Sequence, residues 1–167
     1  CERGINIINK AGTTNIYKVK VSGVSHYAVH VATTAGAAKV NIQDSDLTGY
    51  AAVAAYGEGG NVSVKDSHLV GINNYANNGS NSFSTIAVGS NVNVNVVGGS
   101  VKAKSQEGND AQYVLGAQKD VIGASITVDA ELIIEGTAEY FGININKNTV
   151  NVREAYAGDY VTSDAGN

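Results

Sequence analysis

The sequence contains no proline, methionine or tryptophan, and it has a single cysteine, four leucines and only two arginines. Long amphipathic helices draw heavily on Leu and Met, so their scarcity argues against a helical fold. One cysteine excludes an internal disulfide and a metal site built from several thiolates. A net charge of -4, with arginine only at Arg3 and Arg153, leaves no basic stripe for nucleic acid or for an anionic membrane. No run of apolar residues approaches the roughly 18 that a membrane span needs.

What the sequence does have is valine, asparagine and 20 glycines, within a hydrophobic content of 43%. Val and Ile suit a pleated, half-buried surface, and Gly and Asn tolerate the positive φ angles of tight turns. Residues 1–167 therefore predict one soluble all-β domain. Because the chain begins at Cys1, we expect a fragment or mature portion of a longer exported chain. Cys1 itself is either the lipid-modified first residue of a bacterial lipoprotein or an unpaired thiol at a boundary.

An internal repeat is the strongest signal. Residues 39–49 are nearly repeated at 61–71, including Asp-Ser, an aliphatic residue and a closing Gly. Weaker copies give anchor residues separated by steps of 21, 22, 32, 32 and 24, and self-similarity at such a period marks a repeat architecture. The anchors are Val19, Val40, Val62, Val94, Ile126 and Val150.

Two further strand families fall between these anchors. One opens on an aromatic residue, and the other is marked by an aliphatic residue. The aromatic openers are Tyr27, Tyr50, Phe83, Tyr113 and Tyr140, and the aliphatic markers are Leu47, Leu69, Val101 and Ile133. Together the three families predict a right-handed parallel β-helix, or β-solenoid, of about six coils with three short strands per coil.

The two 32-residue steps carry extra residues at equivalent places, in loops 72–82 and 102–110. Insertions at equivalent points of successive coils project from one edge, which is often the binding face. We therefore expect the two loops to lie side by side and to contact a ligand.

Residues 44–53 and 66–75, which begin Asp-Ser-Asp-Leu-Thr-Gly and Asp-Ser-His-Leu-Val-Gly, resemble the coils of bacterial cell-surface β-helix proteins. These adhesin-like solenoids occur as exported passenger domains and in large surface proteins. The resemblance covers most of residues 15–155. It implies an extracellular or cell-surface location and a role in adhesion, carbohydrate binding or scaffolding.

Pectin lyases and polygalacturonases share that fold, so an enzyme is the first alternative. Glycoside hydrolysis usually needs two facing carboxyl groups, and none of the segments that supply them in the hydrolases occurs here. The nearest acidic group is Asp44, Asp46 and Asp66 with His68, and Glu58 lies nearby in sequence. Asp44 and Asp66 hold the same coil position and are weak metal candidates, although Asp-Ser also caps turns. The expectation is a protein that is not an enzyme.

The sequence also contains little evidence of a metal or cofactor site. His26 and His30 flank Tyr27 at a spacing that lets both face one side of a strand, but no third ligand accompanies them. Residues 57–60 are glycine-rich without a following helix, and therefore predict a turn rather than a phosphate site. We expect no cofactor and no metal.

The aromatic openers are the best binding candidates. Facing outward they would form a stacked platform for sugar rings or a protein, and facing inward they would form an interior stack, which burial favours. The predicted binding residues are Tyr27, Tyr50, Asn74, Tyr75, Asn78, Phe83, Tyr113 and Tyr140.

The leading functional hypothesis is a non-catalytic surface module for adhesion or scaffolding, with a glycan or a host or bacterial surface protein as partner. A lyase or hydrolase with an atypical acidic site is one alternative. A self-assembling fibre subunit is the other, because the ends of a β-helix present open strand edges.

Overall fold

The computed structural model describes residues 1–8, 10, 12–72, 84–104, 113–117, 120–135, 142–144 and 148–152. Within them lie a short 3-10 helix, Thr33–Ala35, and fourteen strands. In chain order the strands are β1 (Arg3–Ile7), β2 (Thr13–Tyr17), β3 (Lys20–Val21), β4 (Tyr27–Val31), β5 (Lys39–Gln43), β6 (Asp46–Gly49), β7 (Ala51–Ala55), β8 (Asn61–Ile72), β9 (Ile86–Val88), β10 (Asn93–Lys104), β11 (Tyr113–Ala117), β12 (Ser125–Glu135), β13 (Gly142–Asn144) and β14 (Thr149–Val152).

The chain alternates between two parallel sheets, so the all-β prediction is confirmed. A six-stranded sheet has the order β1-β4-β7-β9-β11-β13, and the main path of an eight-stranded sheet runs β14-β12-β10-β8-β5-β2. The short strand β3 pairs with β6, and β6 also pairs with β8. Every pairing is parallel.

Alternating side chains explain why these segments pair. In β5 the pattern runs exposed, buried, exposed, buried, exposed, with Val40 and Ile42 each 1% exposed. Equivalent residues of β8, β10 and β12 face the same interior, where they meet aliphatic residues of the six-stranded sheet such as Val29 and Val53. The buried aliphatic residues of both sheets form one hydrophobic core, and their removal from water is the main stabilising term.

The predicted register is confirmed for five of the six anchors. Val40 pairs with Val62, Val62 with Val94, Val94 with Ile126, and Ile126 with Val150. The prediction for Val19 is wrong, because Thr14 of β2 is the partner of Val40. Because the residue at this inward position, Thr14, is polar, a search for alternating aliphatic residues does not find β2.

One marker of the third strand family is also misplaced. Val101 pairs with Leu132 instead of Ile133. The cause is a one-residue irregularity between Val97 and Ser100, where β10 has one residue more than β12. The third segment is a separate strand only as β3 and β6; in β8, β10 and β12 it continues the preceding strand.

The predicted aromatic column is likewise interrupted. Tyr27 pairs with Ala51, so Tyr50 stands one residue before the position that the column requires. Tyr113 opens β11 as expected and pairs with Gly142. The predicted positions Phe83 and Tyr140 lie outside the described residues.

Candidate functional site

One edge of the molecule is formed where the chain leaves the eight-stranded sheet and enters the six-stranded sheet. A single residue, Tyr50, joins β6 to β7 here, whereas the connections from β8 to β9 and from β10 to β11 are long. The long connections leave from paired residues, Ile72 and Lys104, and return to strands paired at Ile86 and Leu115. We call this the loop edge.

The loops are shorter at their starts than the sequence suggested. Ile72 is the last residue of β8, and residues 102–104 pair with residues 70–72 as part of β10. The insertions therefore begin at 73 and 105, and each returns just before a strand of the six-stranded sheet. The predicted binding residues Asn74, Tyr75 and Asn78 lie outside the described residues.

A group of aromatic rings extends from the loop edge along β4 and β7. The Tyr27 and His30 rings stack with centroids 4.9 Å apart, and Tyr56 meets both edge-on at 5.9 Å. His26 lies 6.0 Å from Tyr27 and 6.1 Å from Tyr50. We call these five residues the aromatic cluster. Stacked and edge-on pairs at these distances are attractive beyond the area that they bury.

The aromatic cluster lies on the outer side of the six-stranded sheet. Tyr27, Tyr50 and Tyr56 are each partly exposed and do not belong to the hydrophobic core. Small side chains accompany them, because Ala51 and Ala54 of β7 are fully buried but also stand apart from that core. The tyrosines among the described candidates therefore do not form an interior stack.

His30 is the most buried polar member of the aromatic cluster, with 8% exposure. Its Nδ1 lies 2.8 Å from Asn6 Oδ1 on the neighbouring strand, a distance at which a neutral imidazole donates its proton to the amide oxygen. Burial, helped by the positive charge of Arg3, lowers the pKa of His30 to about 4. The imidazole is therefore neutral near pH 7.

Charged groups reinforce the loop edge where β10 and β12 end. Glu135 Oε2 accepts a hydrogen bond from Lys102 Nζ at 2.7 Å, and its Oε1 lies 3.5 Å from Lys104 Nζ. The hydrogen bond from Lys102 and the charges of both lysines lower the pKa of Glu135. Glu135 and Lys104 are exposed and Lys102 is partly exposed, so these ion pairs contribute little to stability.

The acidic candidates lie elsewhere, in turns of the eight-stranded sheet. Asp44 and Asp66 both adopt left-handed backbone conformations, with φ of 50° and 47°. The serine after each one closes the turn: Ser67 Oγ, for example, donates to the Lys65 carbonyl at 2.8 Å and accepts from the Ser45 N–H at 3.1 Å. This arrangement is typical of a structural turn that links neighbouring strands.

The remaining members of the acidic group are engaged separately. His68 Nδ1 lies 2.9 Å from Ser100 Oγ, and Glu58 accepts a hydrogen bond from Asn91 at 3.0 Å. Asp46 begins β6 and pairs with His68. Within the part of the chain that the structure describes, no three His, Cys, Asp or Glu side chains come together as metal ligands.

Sequence reasoning did not predict three members of the aromatic cluster, His26, His30 and Tyr56, as binding residues. Tyr56 follows β7 and opens no strand, so a search for strand-opening aromatic residues passes over it. The sequence marks His26 and His30 only as a possible metal pair. The pairing of Asn6 with His30 across β1 and β4 was the detectable signal, but β1 carries no repeat anchor.

Searches of protein-family models, of curated proteins and of solved structures found no match for this chain. The resemblance to cell-surface β-helix proteins therefore stays a prediction. In the described ranges no helix is long and apolar enough to cross a membrane.

Proposed function

We propose that the two parallel sheets belong to a right-handed parallel β-helix of about six coils, which serves as a non-catalytic surface module for adhesion or scaffolding. Its location is extracellular or at the cell surface. Its partner is a glycan or a host or bacterial surface protein, bound at the loop edge. The alternation of the chain between two parallel sheets that share one core supports the fold part of this proposal.

The observation that carries the functional part is the placement of the two long insertions. They leave neighbouring strands at the paired residues Ile72 and Lys104, so 11 and 8 residues of chain start from adjacent points. At the equivalent step between β6 and β7 a single connecting residue, Tyr50, is enough. Long loops on a rigid scaffold are where binding residues concentrate.

The aromatic cluster supports the same assignment. Gly49 pairs with Gly71, so Tyr50 lies next to Ile72, where the first insertion leaves. Tyr27 pairs with Ala51, the residue after Tyr50, and both tyrosines keep part of their surface exposed. Tyrosine provides a large, rigid contact area together with a hydroxyl group that hydrogen-bonds to a partner. A ligand bound by the loops would therefore also reach aromatic side chains on the scaffold.

Deleting residues 73–83 is a clean test, because the register defines the junction. Gly49 pairs with Gly71 and Val53 with Ile86, so the deletion leaves Gly71-Ile72-Ser84 in the positions of Gly49-Tyr50-Ala51. The same logic allows removal of residues 105–112. We expect the double deletion to keep the β-sheet circular dichroism spectrum and to lose at least ten-fold in binding to whole bacteria, epithelial cells or arrayed glycans.

A matched control is Tyr17→Ala, which removes a 56% exposed aromatic ring from β2 of the eight-stranded sheet. This variant should bind like the parent. Equal binding by the parent and by a folded double-deletion variant would refute the assignment of the ligand site to the loop edge.

A further inference from the structure

The outer face of the eight-stranded sheet carries two rows of short, uncharged polar side chains across β8, β10 and β12. On each strand, two outward positions flank one inward aliphatic residue, which is Val62, Val94 or Ile126. The paired residues of the first row are Asn61, Asn93 and Ser125, and those of the second are Ser63, Asn95 and Thr127. All six are exposed or partly exposed. We call these six residues the polar rows.

The composition of the polar rows departs from what strands prefer. Asn is depleted in strands, because its amide competes for backbone hydrogen bonds, yet three of the six residues are asparagine. Further along the same strands, beyond the turn, exposed or partly exposed positions carry titratable groups instead, such as His68, Lys102 and Glu131. A residue choice that goes against local preference is expected where a surface has a function.

Hydrogen bonds between the strands do not account for this choice. Asn93 Nδ2 donates to Asn61 Oδ1 at 3.5 Å, which is long for such a bond. At the centre of the polar rows, the side chains of Ser63 and Asn95 make no hydrogen bond within the part of the chain that the structure describes. Their donor and acceptor groups are therefore open to a ligand.

The chemistry of the polar rows narrows the choice of ligand. The centre of a protein interface is usually apolar and aromatic, whereas the exposed side chains here are neither. Nucleic acids and acidic polymers need basic groups, and the polar rows contain none. Ice needs a level surface, which the long exposed side chain of Lys39, next to Asn61 on β5, interrupts.

An uncharged polysaccharide matches both the chemistry and the spacing. Its hydroxyl groups donate and accept hydrogen bonds, as do the amides and hydroxyls of the polar rows. Side chains repeat about every 4.8 Å within a row, and the two rows are about 7 Å apart, because a strand rises about 3.4 Å per residue. An extended polysaccharide also repeats its hydroxyl groups, one sugar unit after another.

We propose that the polar rows bind an uncharged, extended polysaccharide, which lies across β8, β10 and β12 and hydrogen-bonds through its hydroxyl groups. The polar rows lie near the starts of these strands, whereas the loop edge is formed where β8 and β10 end. The two sites share no residue, so this site does not depend on a ligand at the loop edge.

Cosedimentation with cellulose, chitin and insoluble β-glucan tests the proposal, with polygalacturonate beads as the charged probe. The parent should be retained on at least one of the uncharged polymers and not on polygalacturonate. Ser63→Ala combined with Asn95→Ala should weaken that binding at least five-fold, because two hydrogen-bonding groups are lost. Both residues are exposed, so the circular dichroism spectrum should not change.

Two further variants locate the polymer. Thr48→Ala combined with Ser100→Ala removes two hydroxyl groups elsewhere on the same sheet and should bind like the parent. The variant that lacks residues 73–83 and 105–112 should also bind like the parent. If it loses the polymer, the ligand belongs to the loop edge, which overturns this proposal and supports the earlier one.

Other results would also overturn the proposal. They are no retention of the parent on any uncharged polymer, stronger retention on polygalacturonate, or equal binding by the parent and the Ser63→Ala, Asn95→Ala variant. An equal loss in the Thr48→Ala, Ser100→Ala variant would have the same meaning. Inhibition of ice recrystallisation by the parent, lost in the Ser63→Ala, Asn95→Ala variant, would show that the polar rows bind ice instead.

Discussion

At the scale of single residues, His30 on the outer face of the six-stranded sheet makes the stability of the folded protein depend on pH. It is buried, stacked on Tyr27 and bonded to Asn6. Its pKa falls to about 4 in the folded protein, from 6.5 for an unperturbed imidazole. Between these values the unfolded chain binds a proton that the folded chain does not, so His30 makes the folded state less stable as the pH drops from about 6.5 to about 4.

We expect this single group to remove on the order of 2 kcal/mol of unfolding free energy across that interval. Urea denaturation at pH 7 and pH 4 measures it. In His30→Gln the loss between the two pH values should shrink by that amount, because the titrating group is gone. His68→Gln removes an exposed imidazole from β8 and is the control. If both variants lose stability in parallel with the parent, His30 does not supply the pH dependence.

At the scale of single elements, the turns of the eight-stranded sheet repeat one left-handed residue from strand to strand. The positions are Lys18, Asp44, Asp66 and Gly98, with φ between 47° and 71°. Neighbouring turns are joined by backbone hydrogen bonds, such as the bond from the Asp44 N–H to the Lys65 carbonyl. Asp tolerates this conformation and Gly adopts it without strain. The Asp-Ser pairs of the repeat therefore mark turns that need a left-handed residue.

Within β10 the turn needs a second glycine. Gly99 has φ of +73°, and a Cβ placed there would overlap the Ser67 carbonyl oxygen. We expect Gly99→Ala to cost about 3 kcal/mol or more, from strain and overlap together. Gly23→Ala is the control, because its φ is +69° and nothing lies within 4 Å of the added carbon, so it should cost only about 1 kcal/mol. Thermal or urea unfolding of the pair separates overlap from dihedral strain, and equal costs would show that the contact with Ser67 is unimportant.

At the scale of the whole molecule, the repeat predicted much of the fold because successive strands need an apolar residue at the same inward position. Val40, Val62, Val94 and Ile126 each fill an inward position of the eight-stranded sheet, so a simple period revealed their pairing. Prediction failed where the inward residue is polar or where one strand has an extra residue. Thr14 takes an inward position at the end of the sheet, where the core is less enclosed, and the extra residue in β10 shifts Leu132 into the place expected for Ile133.

The candidate site was harder to predict than the fold. Its insertions follow from step lengths, and their side-by-side departure was foreseen from the 32-residue steps. The aromatic cluster depends on side chains that meet across strands, such as His30 with Tyr56, and no periodic pattern links these two residues. Contacts of this kind are set by register and by side-chain direction together, which a single sequence does not specify.

The stacked arrangement also predicts how stability varies along the molecule. Leu69 is fully buried in β8, with Leu47 and Val101 paired on either side. Ile16 lies in β2, for which the described strands supply a neighbour on one side, β5. Strands on both sides of Leu69 limit how far the structure can collapse into a cavity left there, whereas the end strand β2 can relax more around a cavity at Ile16. We expect Leu69→Ala to cost about 4 kcal/mol and Ile16→Ala about 2 kcal/mol in urea unfolding. Because one core joins both sheets, each variant should unfold in a single transition when circular dichroism and tyrosine fluorescence are compared. A larger cost at Ile16, or separate transitions for the two signals, would contradict a continuous core with a loosely held end.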